Sequence, residues 1–142
     1  ENGFNYDSFR SHFKKSNIGI VQSLMKVSQH FDAVFAGLLV YDGTNWKMDH
    51  TLGFNQKSIS NFTFTKDEEF SIEILDKKKI FLFKSGQNSI IEIESRLFKG
   101  DLSYMSGGLF MPIIFENSSA YMLLGLKTIK TISEYIEILK KL

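Results

Sequence analysis

The chain of 142 residues has a net charge of +1, from 17 Lys and Arg against 16 Asp and Glu, so it has no strongly basic surface for nucleic acid. Hydrophobic residues make up 43% of the chain and charged residues 23%, which is ordinary for a soluble globular protein. Cysteine is absent, which excludes disulfides, thiolate metal sites and a cysteine nucleophile.

Two helices are predicted before the first strand. Phe9 and Phe13 lie four residues apart behind a candidate cap at Asp7, which favours a short helix over 7–15. A second helix is expected from Asn17 to about His30, or the two form one bent helix. Along it, apolar residues recur at nearly helical spacing: Ile18, Val21, Leu24, Met25 and Phe31.

A β-hairpin follows these helices. Residues 33–41 are an apolar run of strand length, residues 42–45 read Asp-Gly-Thr-Asn, and residues 46–54 alternate as a strand should. After a polar linker, residues 61–65 predict a short strand.

The next segment, 66–79, predicts a helix that begins with an acidic turn and ends in three lysines. We interpret Asp67, Glu68 and Glu69 as a solvated helix start, because adjacent helical residues point in different directions and do not form a catalytic pair. Phe70, Leu75 and either Ile72 or Ile74 are expected to face inward. Residues 80–83 then predict a short buried strand. The apolar residues of the segment 90–98 fit both the period of a strand and that of a helix, and we favour a helix there.

The last third predicts a second hairpin, 109–115 and 120–126, and a C-terminal helix. Pro112, the only proline, cannot donate a hydrogen bond within a sheet, so it belongs at an edge, a bulge or a strand start. The helix is indicated by an apolar stripe at Ile132, Tyr135, Ile136, Leu139 and Leu142.

This order of elements predicts an α+β domain with one central antiparallel sheet of five or six strands. Helices should cover one face, with the terminal helices packed together, and the hairpins 33–54 and 109–126 should be adjacent. The strands come in neighbouring pairs without crossover helices, which excludes a doubly wound fold. We expect residues 1–142 to form a single domain, and the start at Glu1 rather than Met is what a domain excised from a longer protein would show. A cytoplasmic location is expected, since no signal peptide or membrane-spanning run is visible.

Four stretches resemble the GAF domain, a small sensory fold related to PAS domains: FDAVFAGLLVYD, HTLGF, FSIEILDKKKIFLF and LFMPIIFENSSAYMLLGL. The family's Val-Pro-Leu-like triplet is matched by residues 111–113, and its Gly-x-Leu-x-Leu strand loosely by residues 121–126. The resemblance covers about Ile18 to Leu142. It implies that Pro112 lies at an irregular point of a strand beside a ligand pocket. A PAS-like or profilin-like module also combines antiparallel hairpins with flanking helices.

The resemblance implies a non-enzymatic module that binds a small molecule and passes a signal through its terminal helices. Without cysteine, the chain cannot attach a bilin covalently or reduce methionine sulfoxide as some members do. Its residues 61–68 echo the letters of the cyclic-nucleotide signature, but the spacing differs. The cofactor is therefore unknown. The alternative is a protein-interaction module without ligand, whose pocket is filled by Phe64, Phe70, Phe81, Phe83 and Phe110.

A ligand pocket, if present, should be walled by eight residues of the pocket-side strands and their connections: Phe64, Ile72, Phe83, Arg96, Leu102, Tyr104, Ser106 and Met111. This list depends on which strand face points inward, and a shift of one residue reverses the face. The loop 104–108 contains two consecutive glycines, which allow either a backbone contact to a ligand or a flexible entrance to a strand. No metal site is predicted, because His12, His30 and His50 lie on three different elements.

We also expect a homodimer formed by the terminal helices. The apolar stripe of the last helix reaches the final residue, where an isolated domain has little use for it. The alternative is intramolecular: the stripe covers the open face of the sheet of its own chain.

Overall fold

The computed structural model describes residues 17–85, 91–115 and 118–140. Its centre is a six-stranded sheet in the order β3-β2-β1-β6-β5-β4, and every neighbouring pair is antiparallel. The strands are β1 (Ala33–Tyr41), β2 (Asn45–Leu52), β3 (Thr63–Thr65), β4 (Phe81–Lys84), β5 (Gly107–Phe115) and β6 (Ser118–Leu126).

Two longer and three short α-helices accompany the sheet, together with one π-helical turn. They are α1 (Asn17–Phe31), α2 (Gln56–Asn61), the π-helical turn (Ser71–Leu75), α3 (Ile91–Glu94), α4 (Lys99–Ser103) and α5 (Ile132–Lys140). None of the helices in the described ranges is both long enough and apolar enough to cross a membrane.

The predicted α+β class, the six antiparallel strands and the adjacency of the two hairpins are confirmed. β1 and β6 lie side by side, with Leu38 opposite Met122. The helices α2 and α4 were not predicted, because each is a short polar segment without apolar periodicity. Instead, α2 begins at a cap, where the Asn55 side chain accepts a hydrogen bond from the Lys57 N–H. The helix predicted over 7–15 lies outside the described residues.

One face of the sheet is covered by the two longer helices. Every second side chain of β6 points to this face, and residues of α1 and α5 pack over these side chains. We call this the helix-side cluster: Leu24, Val27, Phe31, Ala36, Leu38, Leu109, Met111, Ile113, Ala120, Met122, Leu124, Leu126, Tyr135 and Ile136.

The helix α5 is fixed by a reciprocal cap and by one aromatic contact. The Glu134 carboxylate accepts from the Thr131 N–H at 2.8 Å, and the Thr131 hydroxyl accepts from the Glu134 N–H at 3.1 Å. Tyr135 is fully buried and stacks on Phe31 of α1, with 5.2 Å between ring centroids. The predicted stripe is therefore directed into the protein at Tyr135 and Ile136, whereas Ile132 is exposed. Positions 139 and 142 lie outside the described side chains.

A β-bulge in β2 changes the face to which its side chains point. The register jumps from Leu38 opposite Asp49 to Gly37 opposite Thr51, so His50, with φ of 52°, is the extra residue of the bulge. The extra residue reverses the alternation. As a result, Trp46 points away from the helix-side cluster, whereas Leu52 packs against that cluster.

Pro112 lies in an otherwise regular part of β5. Its register with β6 runs without a shift, Pro112 standing opposite Tyr121, so the expected irregularity at this residue is wrong. The pairing between β4 and β5 ends at Phe110, however, so β5 has become an edge strand at Pro112. An edge is where a residue without an N–H is tolerated.

Candidate functional site

The face of the sheet opposite α1 and α5 carries mainly aromatic side chains. We call them the aromatic cluster: Phe35, Leu39, Trp46, Phe54, Phe62, Phe64, Phe70, Leu75, Phe83, Ile93, Leu97, Met105, Phe110, Tyr121 and Leu123. Phe110 is at its centre, and its ring contacts those of Phe70 at 5.1 Å and Tyr121 at 6.4 Å between centroids. A continuous series of edge-on ring contacts thus runs from Trp46 on β2 through Tyr121 and Phe110 to Phe70, which directly precedes the π-helical turn.

This cluster is covered by short elements rather than by long helices. The cover consists of α2, the π-helical turn, α3 and α4 with their connections, and it contributes Phe62, Phe70, Ile93, Leu97 and Met105. Helices of four to six residues have little stability of their own, so the cover depends on its contacts with the sheet. Three polar ties, each involving a buried or half-buried side chain, hold it there.

The first tie is the hydroxyl of Tyr121 on β6. Tyr121 is fully buried, and its hydroxyl lies 2.9 Å from the carbonyl oxygens of both Ile74 and Lys79. These carbonyls lie at the end of the π-helical turn and in the loop after it. The Ile74 carbonyl also accepts from the Lys79 N–H, and the Tyr121 hydroxyl, shared between the two carbonyls, fixes the turn above the sheet.

The second tie is Arg96, which follows α3. Its Nε donates to the Thr63 carbonyl at 2.8 Å and its Nη2 to the Glu68 carboxylate at 2.5 Å. The guanidinium carbon lies 4.3 Å from the ring centroid of Phe64, which is within the range of a cation–π contact. The Arg96 and Glu68 side chains are 20% and 26% exposed, so Glu68 is not part of a solvated helix start as predicted.

The third tie joins α2 to α4 through two buried polar residues. The Asp101 carboxylate accepts from the Ser58 hydroxyl at 2.6 Å and from the Asn55 N–H at 2.9 Å. The Ser58 oxygen in turn accepts from the Phe98 N–H at 2.8 Å. Ser58 is fully buried and has both a donor and an acceptor partner, so it bridges α2, α4 and the segment before α4.

Trp46, the only tryptophan, adds a polar atom to the aromatic face. Its side chain is 4% exposed and contacts Tyr121 edge-on, with 6.0 Å between ring centroids. The buried Nε1–H has no acceptor among the residues that the structure describes. Tyr41, its partner in the β1–β2 ladder, covers the indole at 5.4 Å and is itself 40% exposed.

Four of the eight predicted site residues lie together on this face. Phe64 and Phe83 are fully buried in the aromatic cluster, and Leu102 packs against it. Arg96 covers Phe64, and its charge is paired with Glu68. The predicted ligand-binding role of these four stays a prediction.

The other four predicted site residues lie elsewhere. Ile72 and Tyr104 are 45% and 63% exposed, and the Ser106 side chain is exposed while its N–H donates to the Leu126 carbonyl. Met111 belongs to the helix-side cluster, on the face of the sheet opposite to Phe64 and Phe83. Its neighbour Phe110 is the side chain of β5 that points to the aromatic face, one residue away in the alternation.

The two glycines of the loop 104–108 belong to β5 rather than to a ligand loop. A Cβ on Gly108 would lie 2.6 Å from the Phe83 ring, and one on Gly107 would lie 2.1 Å from the Phe83 carbonyl oxygen. Their role is to let β4 approach closely enough for Phe83 to enter the aromatic cluster.

Sequence reasoning missed four residues that hold the face together: Trp46, Ser58, Asp101 and Tyr121. Trp46 and Tyr121 could have been found from strand alternation once the inward face of β1 was known. Ser58 and Asp101 carry no sequence signal, because they lie 43 positions apart and only the fold brings them together.

No group of three or more potential metal ligands occurs within residues 17–85, 91–115 and 118–140. His30 lies on α1, where its Nδ1 is 2.9 Å from the Lys26 carbonyl oxygen, and His50 lies beside Asp49 at 3.3 Å in the bulge. His12 is outside the described residues.

Comparison with solved structures identifies the fold. The chain is similar to a mutated NreA protein from Staphylococcus aureus, described as mutated in its nitrate binding site, with a TM-score of 0.65 and 12% identity over 89% of this chain and 98% of that one. It is also similar to the GAF domain of a two-component sensor histidine kinase from Bacillus halodurans, with a TM-score of 0.64 and 16% identity over 89% and 87% of the chains. The GAF domain of a phosphoenolpyruvate-protein phosphotransferase from Acinetobacter matches with a TM-score of 0.60 and 12% identity over 95% and 84%.

No protein-family model and no curated protein matches the sequence. The structural neighbours nevertheless include GAF domains over most of the chain. The protein therefore has the fold of a GAF domain, as the sequence resemblance implied.

Proposed function

We propose that this chain is a non-enzymatic sensory module that binds a small molecule between the aromatic face and its cover. The observation that carries the proposal is the difference between the two faces of the sheet. One face is covered by α1 and α5, whereas the other is covered by short helical segments held by three polar ties. Elements with few contacts of their own open at lower free energy than the rest of a fold, which allows a ligand to enter.

The composition of this face supports the same function. Small-molecule sites are mostly apolar, with a few well-placed polar groups. Here the polar groups are the Trp46 N–H and the paired Arg96, which lie among aromatic rings. One structural neighbour is described as having a nitrate binding site, so nitrate belongs among the compounds to be tested.

The chain also connects this face to its helices. Asp32 alone separates the end of α1 from the start of β1, and β1 contributes Phe35 and Leu39 to the aromatic cluster. Phe31 at the end of α1 stacks on Tyr135 of α5. A ligand that moves β1 would therefore shift α1 and α5 together, and a homodimer formed by these helices would receive the shift.

The test is a thermal-shift screen of nucleotides, amino acids, tetrapyrroles and nitrate, followed by amide hydrogen exchange with any stabilising compound. A ligand at about 100 times its Kd adds roughly 2.7 kcal/mol to the free energy of unfolding. We expect amide exchange to slow in the cover, at α2 and α4, more than in α1. Protection confined to α1 and α5 would contradict the proposed site, and the lack of any stabilising compound would contradict the sensory function.

A second candidate is an interaction module whose aromatic face is permanently filled by its own side chains. The dense ring contacts favour it: Phe64 and Phe70 lie 4.9 Å apart between centroids, and Phe62 and Phe64 lie 5.2 Å apart edge-on. The same screen distinguishes the two candidates, because a self-filled face gains no stability from any of the compounds.

A further inference from the structure

Trp46 carries a polar group that its surroundings do not use. Buried indole N–H groups usually have a hydrogen-bond partner, and leaving one without a partner is unfavourable. The Nε1–H of Trp46 is buried in the aromatic cluster and has no acceptor among the described residues. Such a group in a folded protein calls for a specific explanation.

The other buried polar groups of this face are paired. The Tyr121 hydroxyl has two carbonyl acceptors, and Ser58 and Asp101 are bonded to each other and to backbone N–H groups. Phenylalanine would also fill an apolar position here without introducing an N–H, and the cluster contains seven buried phenylalanines. The indole therefore introduces a donor where packing alone does not require one.

We propose that the Trp46 Nε1–H is the hydrogen-bond donor to the ligand, and that the ligand is an uncharged planar heteroaromatic molecule with an acceptor atom. This inference rests on the proposed function, since it concerns the same face. The acceptor is a ring nitrogen or a carbonyl oxygen, and the rest of the molecule packs among the rings of the cluster.

The charges on this face favour an uncharged ligand over an anion. The cation of the site, Arg96, already donates to the Glu68 carboxylate and to the Thr63 carbonyl. A buried anion would need a positive partner, and moving a charge into an apolar site without one is strongly unfavourable. A neutral acceptor needs only the one donor that Trp46 supplies.

The wild-type protein provides a direct readout, because a single tryptophan gives a single indole N–H signal in a nitrogen–proton correlation spectrum. We would titrate it at neutral pH with quinoline and with naphthalene, which has nearly the same shape but lacks the ring nitrogen. Quinoline should move the indole proton downfield, as a new hydrogen bond does, and naphthalene should not. Nitrate serves as the anionic probe.

Two variants distinguish the contribution of the Trp46 N–H to binding from that of the neighbouring side chains. Trp46→Phe should weaken quinoline binding about two- to tenfold, which corresponds to one net hydrogen bond, and leave naphthalene binding nearly unchanged. Tyr41→Phe removes the hydroxyl of the residue opposite Trp46 in the β1–β2 ladder but keeps the indole. This variant should therefore bind quinoline as the wild type does.

Several results would overturn the inference. Equal binding of quinoline and naphthalene without a downfield shift would show that the N–H is not used, while the proposed function would stand. A downfield shift with nitrate and not with quinoline would show that the ligand is an anion. An indole proton already hydrogen-bonded in the ligand-free protein would show that the N–H has an acceptor without any ligand. No response to any probe, in this titration and in the broader screen, would contradict both proposals.

Discussion

Three residues other than glycine have positive φ among those described: Asp32, His50 and Lys78. Each lies where the chain changes direction, at the end of α1, in the bulge of β2 and after the π-helical turn. A left-handed conformation is unfavourable for residues with a Cβ, and glycine adopts it freely. These positions therefore store local strain that the surrounding contacts maintain.

At Lys78, replacement by glycine should stabilise the protein. Lys78 has φ of 56° and is exposed, so Lys78→Gly removes strain of about 1–2 kcal/mol and costs about 0.5–1 kcal/mol in chain entropy. Asp76→Gly is the control, because Asp76 has φ of −68° and gains nothing from glycine. Urea unfolding should show a small gain for the first variant and a loss for the second. Losses of equal size in both would contradict the strain argument.

The first hairpin should lose stability in acid because of Asp42. Hydrogen bonds from the backbone N–H groups of Asn45 and Thr44, and then from Lys47, lower the pKa of the Asp42 carboxyl from 3.8 to about 2. Because the unfolded chain binds this proton first as the pH falls, the stabilisation is complete above pH 3.8 and is lost as the pH approaches 2.

Asp42→Asn keeps a side-chain oxygen but removes the titration. We expect the variant to be less stable than the wild type at neutral pH, and the difference in the free energy of unfolding to shrink between pH 4 and pH 2. Other carboxyls with a lowered pKa, Glu73 and Glu134, are present in both proteins and cancel in this difference. A difference that is constant with pH would contradict the prediction.

The elements of the fold are of two kinds: some have periodic apolar residues in their sequence, and others are positioned only by contacts with the rest of the fold. The helices α1 and α5 and both hairpins were predicted, because apolar residues recur along them with the period of a helix or a strand. The helices α2 and α4 have no such period, and their positions are set by hydrogen bonds such as Ser58 to Asp101. The predicted pocket wall has the same limit, because the face to which a β5 side chain points depends on the pleat, and one residue separates Met111 from Phe110.

The bridge between α2 and α4 should be essential to the cover. Ser58→Ala leaves the Phe98 N–H without its acceptor and removes one donor from the buried Asp101, so we expect a loss of about 2–3 kcal/mol. Ser60→Ala, an exposed change in the same helix, should alter the free energy of unfolding by less than about 0.5 kcal/mol. Similar losses for the two variants would contradict a specific role for the bridge.

Arg96 should stabilise the cover more than an exposed ion pair does. Arg96→Met removes bonds to Thr63 and Glu68 in a partly buried setting, and we expect a loss of about 1–3 kcal/mol. Lys77→Met breaks the pair with Glu73, in which both side chains are 51% exposed, and should have a much smaller effect. In hydrogen exchange, Arg96→Met should open α3 and leave α1 protected. Uniform loss of protection would instead indicate that Arg96 supports the whole fold.

At the scale of the whole molecule, the question is how the terminal helices can form the expected homodimer. Tyr135 and Ile136 are buried against the sheet of their own chain, so they are not available to a partner. On α1, Met25 is 47% exposed. A dimer formed by these helices must therefore use outward side chains such as Met25, because the inward stripe of α5 packs on the sheet of its own chain.

The expected result is that sedimentation at micromolar concentration gives twice the chain mass for the wild type and the chain mass for Met25→Glu. Ile72→Glu is the matched control, because Ile72 is 45% exposed but lies on the π-helical turn, in the cover of the opposite face. It should remain dimeric. Both exposed changes should leave the free energy of unfolding of the protomer nearly unaltered, whereas Tyr135→Ala should lower it by about 3–5 kcal/mol through loss of a buried aromatic side chain. A wild type that sediments as a monomer at every concentration would show that the stripe of α5 serves only to cover the sheet, and a monomer produced by Ile72→Glu would place the interface on the aromatic side.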